Sequence, residues 1–285
     1  MSYQLTIEPL GATIEVNEGQ TMLDAALRHG IYLPHACGHG LCGSCKVQVC
    51  GGEVDHGAAN PFALLEFEKD EGKTLACCAT LQDDVTIEAD IEEEPDAQII
   101  PVQDFSAVVS KIIDLTPTIK AVYLRLSKAI HFQAGQYVQI SMPASSGLEG
   151  SRAFSIANSP QEVAQTNEIE LNVRIVPNGA MTSYIHQHLK VGDELNVTGP
   201  FGRFFVRKSL ASPMLFLAGG SGLSSPLSMI ADLLHEGNQQ AITLVVGQRN
   251  AAELYYHQQL LDLAARHSNF TYVPALSEAS ESPSP

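Results

Sequence analysis

Long apolar runs are missing from this 285-residue chain: none approaches the roughly 18 residues that a membrane-spanning helix needs, so the sequence predicts no helical membrane anchor. A leader is missing too. Met1-Ser-Tyr-Gln-Leu-Thr-Ile-Glu8 has no basic region followed by an apolar core, so nothing routes the chain to an oxidising compartment. A cytoplasmic location is the expectation, and a disulfide framework for the six cysteines ranks low. Basic residues are scarce at the start. Residues 1–100 carry 4 Lys and Arg against 18 Asp and Glu, whereas the remainder carries 12 against 14. A field of that sign repels nucleic acid and suits docking on a basic protein surface; a solvated face that keeps the region soluble is the equal alternative. No internal repeat appears, and the one biased tract, Ser277–Pro285, reads as disordered.

What the acidic third does contain is cysteine. Cys37-Gly-His-Gly-Leu-Cys42-Gly-Ser-Cys45 spaces three thiols by four and two intervening residues, and Cys77 follows after thirty-one more. That is the plant-type spacing for a [2Fe–2S] cluster. Two irons need two soft thiolates each, and one loop supplies three only if its backbone curls round the cluster. Gly38, Gly40 and Gly43 permit the curl and let backbone N–H groups approach the sulfurs. The Cys77-Cys78 pair leaves the fourth ligand open between two residues; the first is taken here, with Cys50 and Cys78 as spare thiols. Structural zinc is the competing reading, but zinc usually takes two separated pairs of close-set ligands.

Around this loop the first ninety residues read as α+β. Tyr3, Leu5 and Ile7 alternate, as do Ile14 and Val16, with Gly11 between the runs, predicting a hairpin. Thr21 caps a helix carrying Met22, Leu23, Ala26 and Leu27, and Gly30 ends it. Lys46–Val49 is a strand, Asn60-Pro61 opens a short helix, and Val85 and Ile87 mark a closing strand. The order resembles the β-grasp fold of plant-type ferredoxins over residues 1–92. Glu92-Glu-Glu-Pro-Asp96 begins a linker, placed at 93–101.

Segments at 107–115, 119–126, 137–142, 169–176 and 194–197 then alternate or are β-branched, predicting an antiparallel barrel over 102–208 with one helix, at 181–189. Two motifs lie in it. Arg152-Ala153-Phe154-Ser155 puts an arginine and an aromatic on one side of an extended segment and a hydroxyl on the other. Gly179-Ala-Met181-Thr182 puts a close-approach glycine and a hydroxyl at a helix N-terminus, which favours a phosphate. Alone, the first is equally a strand with an exposed arginine. Together, behind a ferredoxin-like module, they resemble the flavin domain of the ferredoxin–NADP reductase superfamily, a Greek-key barrel. The resemblance implies FAD, with Arg152 at the pyrophosphate, Phe154 beside the ring or ribityl chain, Ser155 near the flavin N5 as a catalytic residue, and Val173 and Arg174 along the adenine side. Ala153, Gly179, Met181 and Thr182 complete the implied FAD set. The family often has tyrosine at the position of Phe154, which keeps the stacking surface and loses one hydroxyl.

Gly199-Pro-Phe-Gly202 hands over to an α/β pattern across 209–285: strand 214–218, turn Gly219-Gly-Ser-Gly222, helix 225–234, strand 242–246, helix 252–265 and strand 270–273. The turn departs from the full dinucleotide fingerprint because Ser225 stands at its last glycine. Gly-Gly-Ser-Gly-Leu nonetheless resembles the nicotinamide loop of the same superfamily. This implies Gly220, Ser221 and Gly222 as cofactor contacts, Ser221 as a catalytic residue near the nicotinamide, and Gly247 and Arg249 at the adenosine end.

Phe132–Tyr137 and Ala218–Pro226 carry a resemblance, over almost the whole chain, to the reductase components of soluble multicomponent bacterial monooxygenases, the phenol hydroxylase reductases above all. It implies an NADH-dependent oxidoreductase that passes electrons through FAD and the cluster to an oxygenase component. Members carry a Cys-Gly-Pro motif in a further strand and are longer, whereas no cysteine follows Cys78 here, so the nicotinamide domain is expected to be an incomplete Rossmann-like sheet. A one-electron carrier without NADH activity is the rival reading.

Overall fold

The computed structural model describes residues 1–92 and 94–278, which fall into two compact units. Glu93 of the linker and the expectation of disorder for 279–285 lie outside the described residues.

The first unit takes Met1–Pro95 with Ile99–Val102. Its strands are β1 (Ser2–Glu8), β2 (Ala12–Asn17), β3 (Lys46–Gly51), β4 (Val54–Asp55), β5 (Lys73–Leu75), β6 (Thr80–Leu81) and β7 (Val85–Glu88). Five form one sheet in the order β2-β1-β7-β3-β5, with only β1 and β7 parallel. Alternation along β1 and β2 sends Leu5, Ile7, Ile14 and Val16 inward, as their spacing predicts. Helix α1 (Met22–Arg28) covers that face, and the Thr21 hydroxyl accepts from the Asp24 N–H at 3.3 Å. Each fully buried Leu or Ile here is worth about 1.5–3 kcal/mol. One expectation moves: Asn60-Pro61 opens a turn in which the Asn60 Oδ1 accepts from the Phe62 N–H, and the short helix α2 is Glu66–Asp70. The asparagine side chain satisfies the backbone locally and so competes with helix initiation.

The second unit begins with an antiparallel barrel built from β8 (Gln103–Thr116), β9 (Ile119–Leu126), β10 (Tyr137–Ser141), β11 (Ser151–Ser155), β12 (Glu168–Arg174) and β13 (Glu194–Phe201). The order is β11-β10-β13-β8-β9-β12, and a bridge between Ile156 and Leu171 joins its two edges. Helices α3 (Pro160–Thr166) and α4 (Ala180–Gln187) interrupt it. The sequence reading expected only the second. The signals for α3 were present: Ser159 accepts from the Glu162 N–H at 3.2 Å and Pro160 occupies the first turn.

The rest of this unit is a parallel sheet, β14 (Met214–Gly219), β15 (Ile242–Gln248) and β16 (Phe270–Leu276), in that order, with helices α5 (Ser224–His235) and α6 (His257–Arg266). Both helices pack on the face carrying Leu244, Val246, Phe270 and Tyr272. Among the described residues, no helix covers the opposite face. Leu217, Val245 and Val273 lie in register across the three strands, and Leu215 and Leu217 are 64% and 72% exposed. Helix α6 starts five residues later than expected, because Ala251–Glu253 form a 3₁₀ turn and Tyr256 takes a left-handed conformation, φ 56°.

Candidate cluster, flavin and nucleotide sites

The cysteine loop turns its backbone N–H groups toward sulfur. Cys37 accepts from the N–H groups of His39 (3.5 Å) and Leu41 (3.4 Å), Cys42 from that of Cys37 (3.5 Å), and Cys77 from that of Gly40 (3.2 Å). Such donors stabilise thiolates and the negative charge of a cluster. Gly40 shows why glycine stands there: φ is +79°, and a Cβ would meet the Cys78 Sγ at 2.6 Å. The two adjacent cysteines differ in their partners: Cys77 is buried, accepts from the Gly40 N–H and lies within hydrogen-bonding reach of Cys45, while the Cys78 Sγ lies 3.7 Å from that of Cys77 and fills the space beside Gly40.

The thiols differ. Hydrogen bonds from the Ser44 side chain and then the Cys37 N–H hold Cys42 down to about 6, whereas the hydrogen bond to Cys77 and burial push Cys45 up. Among the described residues no three His, Cys, Asp or Glu side chains are gathered to hold a single metal ion. The fit to a cluster rests on the N–H groups converging on Cys37, Cys42 and Cys77 and on Cys45 lying beside Cys77.

In the barrel, β11 pairs with β10 so that Arg152 stands opposite Ile140 and Phe154 opposite Val138. Both partners face the interior, and Phe154 packs against the barrel core. Val173 and Met181 are buried in the same core, so only their backbones are free to meet a ligand. Arg152 and Ala153 are exposed; the Arg152 guanidinium donates to the Ser151 carbonyl at 2.7 Å. Ser155 lies opposite Tyr137, whose ring stacks on Phe201 at 5.5 Å. The N-terminus of α4 carries no side-chain cap. The Thr182 hydroxyl is committed locally, donating to the Gly179 carbonyl at 3.2 Å and accepting from the Val176 N–H at 3.1 Å. Gly179 belongs to that turn, since a Cβ would sit 2.7 Å from the Thr182 Oγ1. An exposed arginine and an uncapped helix start are donors suited to a pyrophosphate.

A pocket of about 590 Å³ opens at the carboxyl ends of the parallel strands, lined by Arg174, Gly220, Gly247, Gln248, Arg249 and Glu253 among others. Open α/β sheets bind ligands at this end. Gly220, Gly247 and Arg249 thus line one pocket. The Arg174 guanidinium lies beside this turn, 2.9 Å from where a Gly220 Cβ would be. Gly220 has φ +54°, and Ser221 is tied in through its carbonyl, which accepts from the Ser224 hydroxyl at 2.9 Å. Gly222 has open space around it. Arg249 is ion-paired with Glu253, which raises the arginine and lowers the acid through their mutual hydrogen bond.

Sequence reasoning missed Gln248 and Glu253. Gln248 is buried, and among the described residues its Nε2 has no hydrogen-bond partner, a donor suited to a bound molecule. Its place directly after Gly247 was the available signal.

Three family descriptions match in the same order: a 2Fe-2S iron-sulfur cluster binding domain over residues 5–82, an oxidoreductase FAD-binding domain over 106–206 and an oxidoreductase NAD-binding domain over 216–284. The chain therefore falls in the class of iron–sulfur flavoprotein oxidoreductases with [2Fe–2S], FAD and NAD modules. It is 55% identical over 283 residues to the phenol 2-monooxygenase reductase component DmpP of Pseudomonas sp. strain CF600, covering 99% of this chain and 78% of that one. The phenol hydroxylase P5 protein of Acinetobacter pittii is also 55% identical, over 97% of this chain and 76% of the relative. Among solved structures the Amycolatopsis cytochrome P450 reductase GcoB superposes with a TM-score of 0.85 at 32% identity, covering 96% of this chain and 80% of that one. The chain belongs to the family of monooxygenase reductase components.

Proposed function

We propose that this protein oxidises NADH and delivers the electrons, through FAD and a [2Fe–2S] cluster, to the oxygenase component of an aromatic, phenol-type monooxygenase. The single observation that carries the reading is the succession of three matched modules in one chain at 55% identity to phenol 2-monooxygenase reductase components. The division is residues 1–92 for the cluster, 93–101 as linker, 102–208 for the flavin and 209–285 for the nucleotide.

Cys37, Cys42, Cys45 and Cys77 hold the cluster. Arg152, with Ala153 beside it and the N–H groups following Gly179 at Met181 and Thr182, receives the FAD pyrophosphate, while the backbones of Phe154 and Val173 flank the cofactor. Ser155 lies at the flavin face that meets the nicotinamide. Gly220, Ser221 and Gly222 shape the turn for the nicotinamide half of NADH, with Gly247, Arg249 and Arg174 on the other half. FAD supplies the conversion between a two-electron hydride donor and a one-electron acceptor. The chain's residues orient the donors and bear the charges: Glu253 neutralises Arg249, which suits the ribose hydroxyls of NADH rather than a 2′-phosphate. Leu41 in the cysteine loop is exposed, and Phe62, 94% exposed, precedes the Ala63 carbonyl that abuts Gly43. This apolar margin within an acidic unit supports an oxygenase docking there.

The test is an anaerobic absorption spectrum of the purified protein before and after NADH. Flavin and cluster bands that both bleach support the reductase; cluster bands indifferent to NADH would select the one-electron carrier instead.

A further inference from the structure

The two tyrosines before α6 join the nucleotide turn to the flavin barrel. The Tyr255 hydroxyl donates to the Gly220 carbonyl at 2.8 Å, and Tyr255 is buried. The neighbouring Tyr256 hydroxyl donates to the Glu170 carboxylate of barrel strand β12, and Tyr123, the cross-strand partner of Glu170 on β9, also hydrogen-bonds that carboxylate. The two tyrosine rings meet edge-on at 5.2 Å.

Three residues of β12 face this seam. Glu170, Asn172 and Arg174 alternate with Ile169, Leu171 and Val173, whose side chains fill the barrel. Glu170 takes Tyr256, and the Arg174 guanidinium lies beside Gly220, 2.9 Å from where a Cβ would stand. Gly220 therefore has one neighbour from each half of the unit, Tyr255 bonded to its carbonyl and Arg174 beside its Cα. Tyr256 meanwhile occupies a left-handed backbone conformation, uncommon for an aromatic residue and sustained only where surrounding contacts over-determine it. A helix start bent that way places two consecutive side chains in different directions, one on the turn and one on the barrel.

We propose that Tyr255 and Tyr256, anchored on Glu170, are positioning residues that fix the Gly219–Gly222 turn against the flavin barrel and so set how the nicotinamide half of NADH is presented. The proposal rests on the reading of that turn as the nicotinamide site. The clasp's hydrogen bond reaches the turn at Gly220, whereas Arg249 is held by its own ion pair with Glu253.

The experiment compares wild type with Tyr256→Phe, Tyr255→Phe, Glu170→Gln and Glu170→Leu in the full-length, cofactor-loaded protein. Three quantities are read: the limiting rate of flavin bleaching by NADH, the inhibition constant of 5′-AMP against NADH, and hydrogen exchange of the 219–223 amides without nucleotide. Tyr256→Phe is expected to slow bleaching about tenfold and to raise exchange at the turn, with the 5′-AMP constant within about twofold of wild type. Glu170→Gln, which keeps an acceptor for the phenol, should restore most of the rate; Glu170→Leu should not. If Tyr256→Phe fails to retain FAD, Tyr255→Phe, which removes only the bond to Gly220, carries the same expectations. Wild-type bleaching with unchanged rates in both tyrosine variants overturns the clasp alone, as does a parallel loss of 5′-AMP affinity, the mark of a generally loosened domain. Wild-type protein that NADH does not bleach overturns the nicotinamide reading and the clasp with it.

Discussion

Adjacent cysteines with the same chemistry receive different surroundings from a single glycine. Cys77 accepts from the Gly40 N–H and lies beside Cys45, whereas Cys78, 3.7 Å from the Cys77 sulfur, takes the space beside Gly40, where burial raises its thiol. Cys77→Ser should accordingly abolish the mixed-valence signal seen by electron paramagnetic resonance after dithionite, while Cys78→Ser should keep both signal and iron content. Equal loss in the two variants would contradict the assignment. At the other end of the chain, Glu253 holds Arg249 in an ion pair. Glu253→Gln frees the guanidinium for a 2′-phosphate, and the NADPH to NADH ratio of kcat/KM should rise about tenfold, or ~1.4 kcal/mol. An unchanged ratio in steady-state assays would remove Glu253 from nucleotide selection.

At the scale of elements, β12 is the member on which the second unit turns: one face fills the barrel and the other carries Glu170, Asn172 and Arg174. Burial pushes the Glu170 carboxyl above its ordinary value, despite the opposing hydrogen bonds from Tyr256 and Tyr123. A native-state value above the unfolded one means that the native protein binds the extra proton. Stability from this group is therefore full below about pH 4.5 and falls as pH rises through the native value. Thermal unfolding followed from pH 4.5 to 8 should show a smaller decline in Glu170→Gln than in wild type; identical slopes would contradict it. None of this was legible in the sequence, because Glu170, Tyr123 and Tyr256 are separated by up to 133 positions, and only the β9–β12 pairing and the packing of the α6 start against β12 bring them together. What was legible is local. The cysteine loop, the Arg152–Ser155 strand and the Gly219–Gly222 turn each write their chemistry within a few residues. The α1 cap at Thr21 was equally readable. Helix α3 has a local Ser-Pro start, but its seven residues bury only Val163 and so carry no apolar periodicity that marks a helix in the sequence. Asn60-Pro61 misled in the opposite sense, a turn carrying the signature of a helix start.

Across the whole molecule the net charge of −16 is concentrated in the first hundred residues, the part that holds the cysteine loop. If that field guides the encounter with an oxygenase, the second-order rate of cluster reoxidation by the partner should fall steeply as salt is raised from 10 to about 150 mM, where the screening length shrinks to about 8 Å. A rate indifferent to salt would reduce the acidity to a matter of solubility.

The row Leu217–Val245–Val273 has a consequence of its own. Parallel sheets bury both faces, yet here one lies open and oily beside a strand edge. Anilinonaphthalene sulfonate should light up on the native protein without any denaturant, and Leu217→Lys should dim it. The same lysine should weaken the attraction between molecules that light scattering reports in concentrated samples.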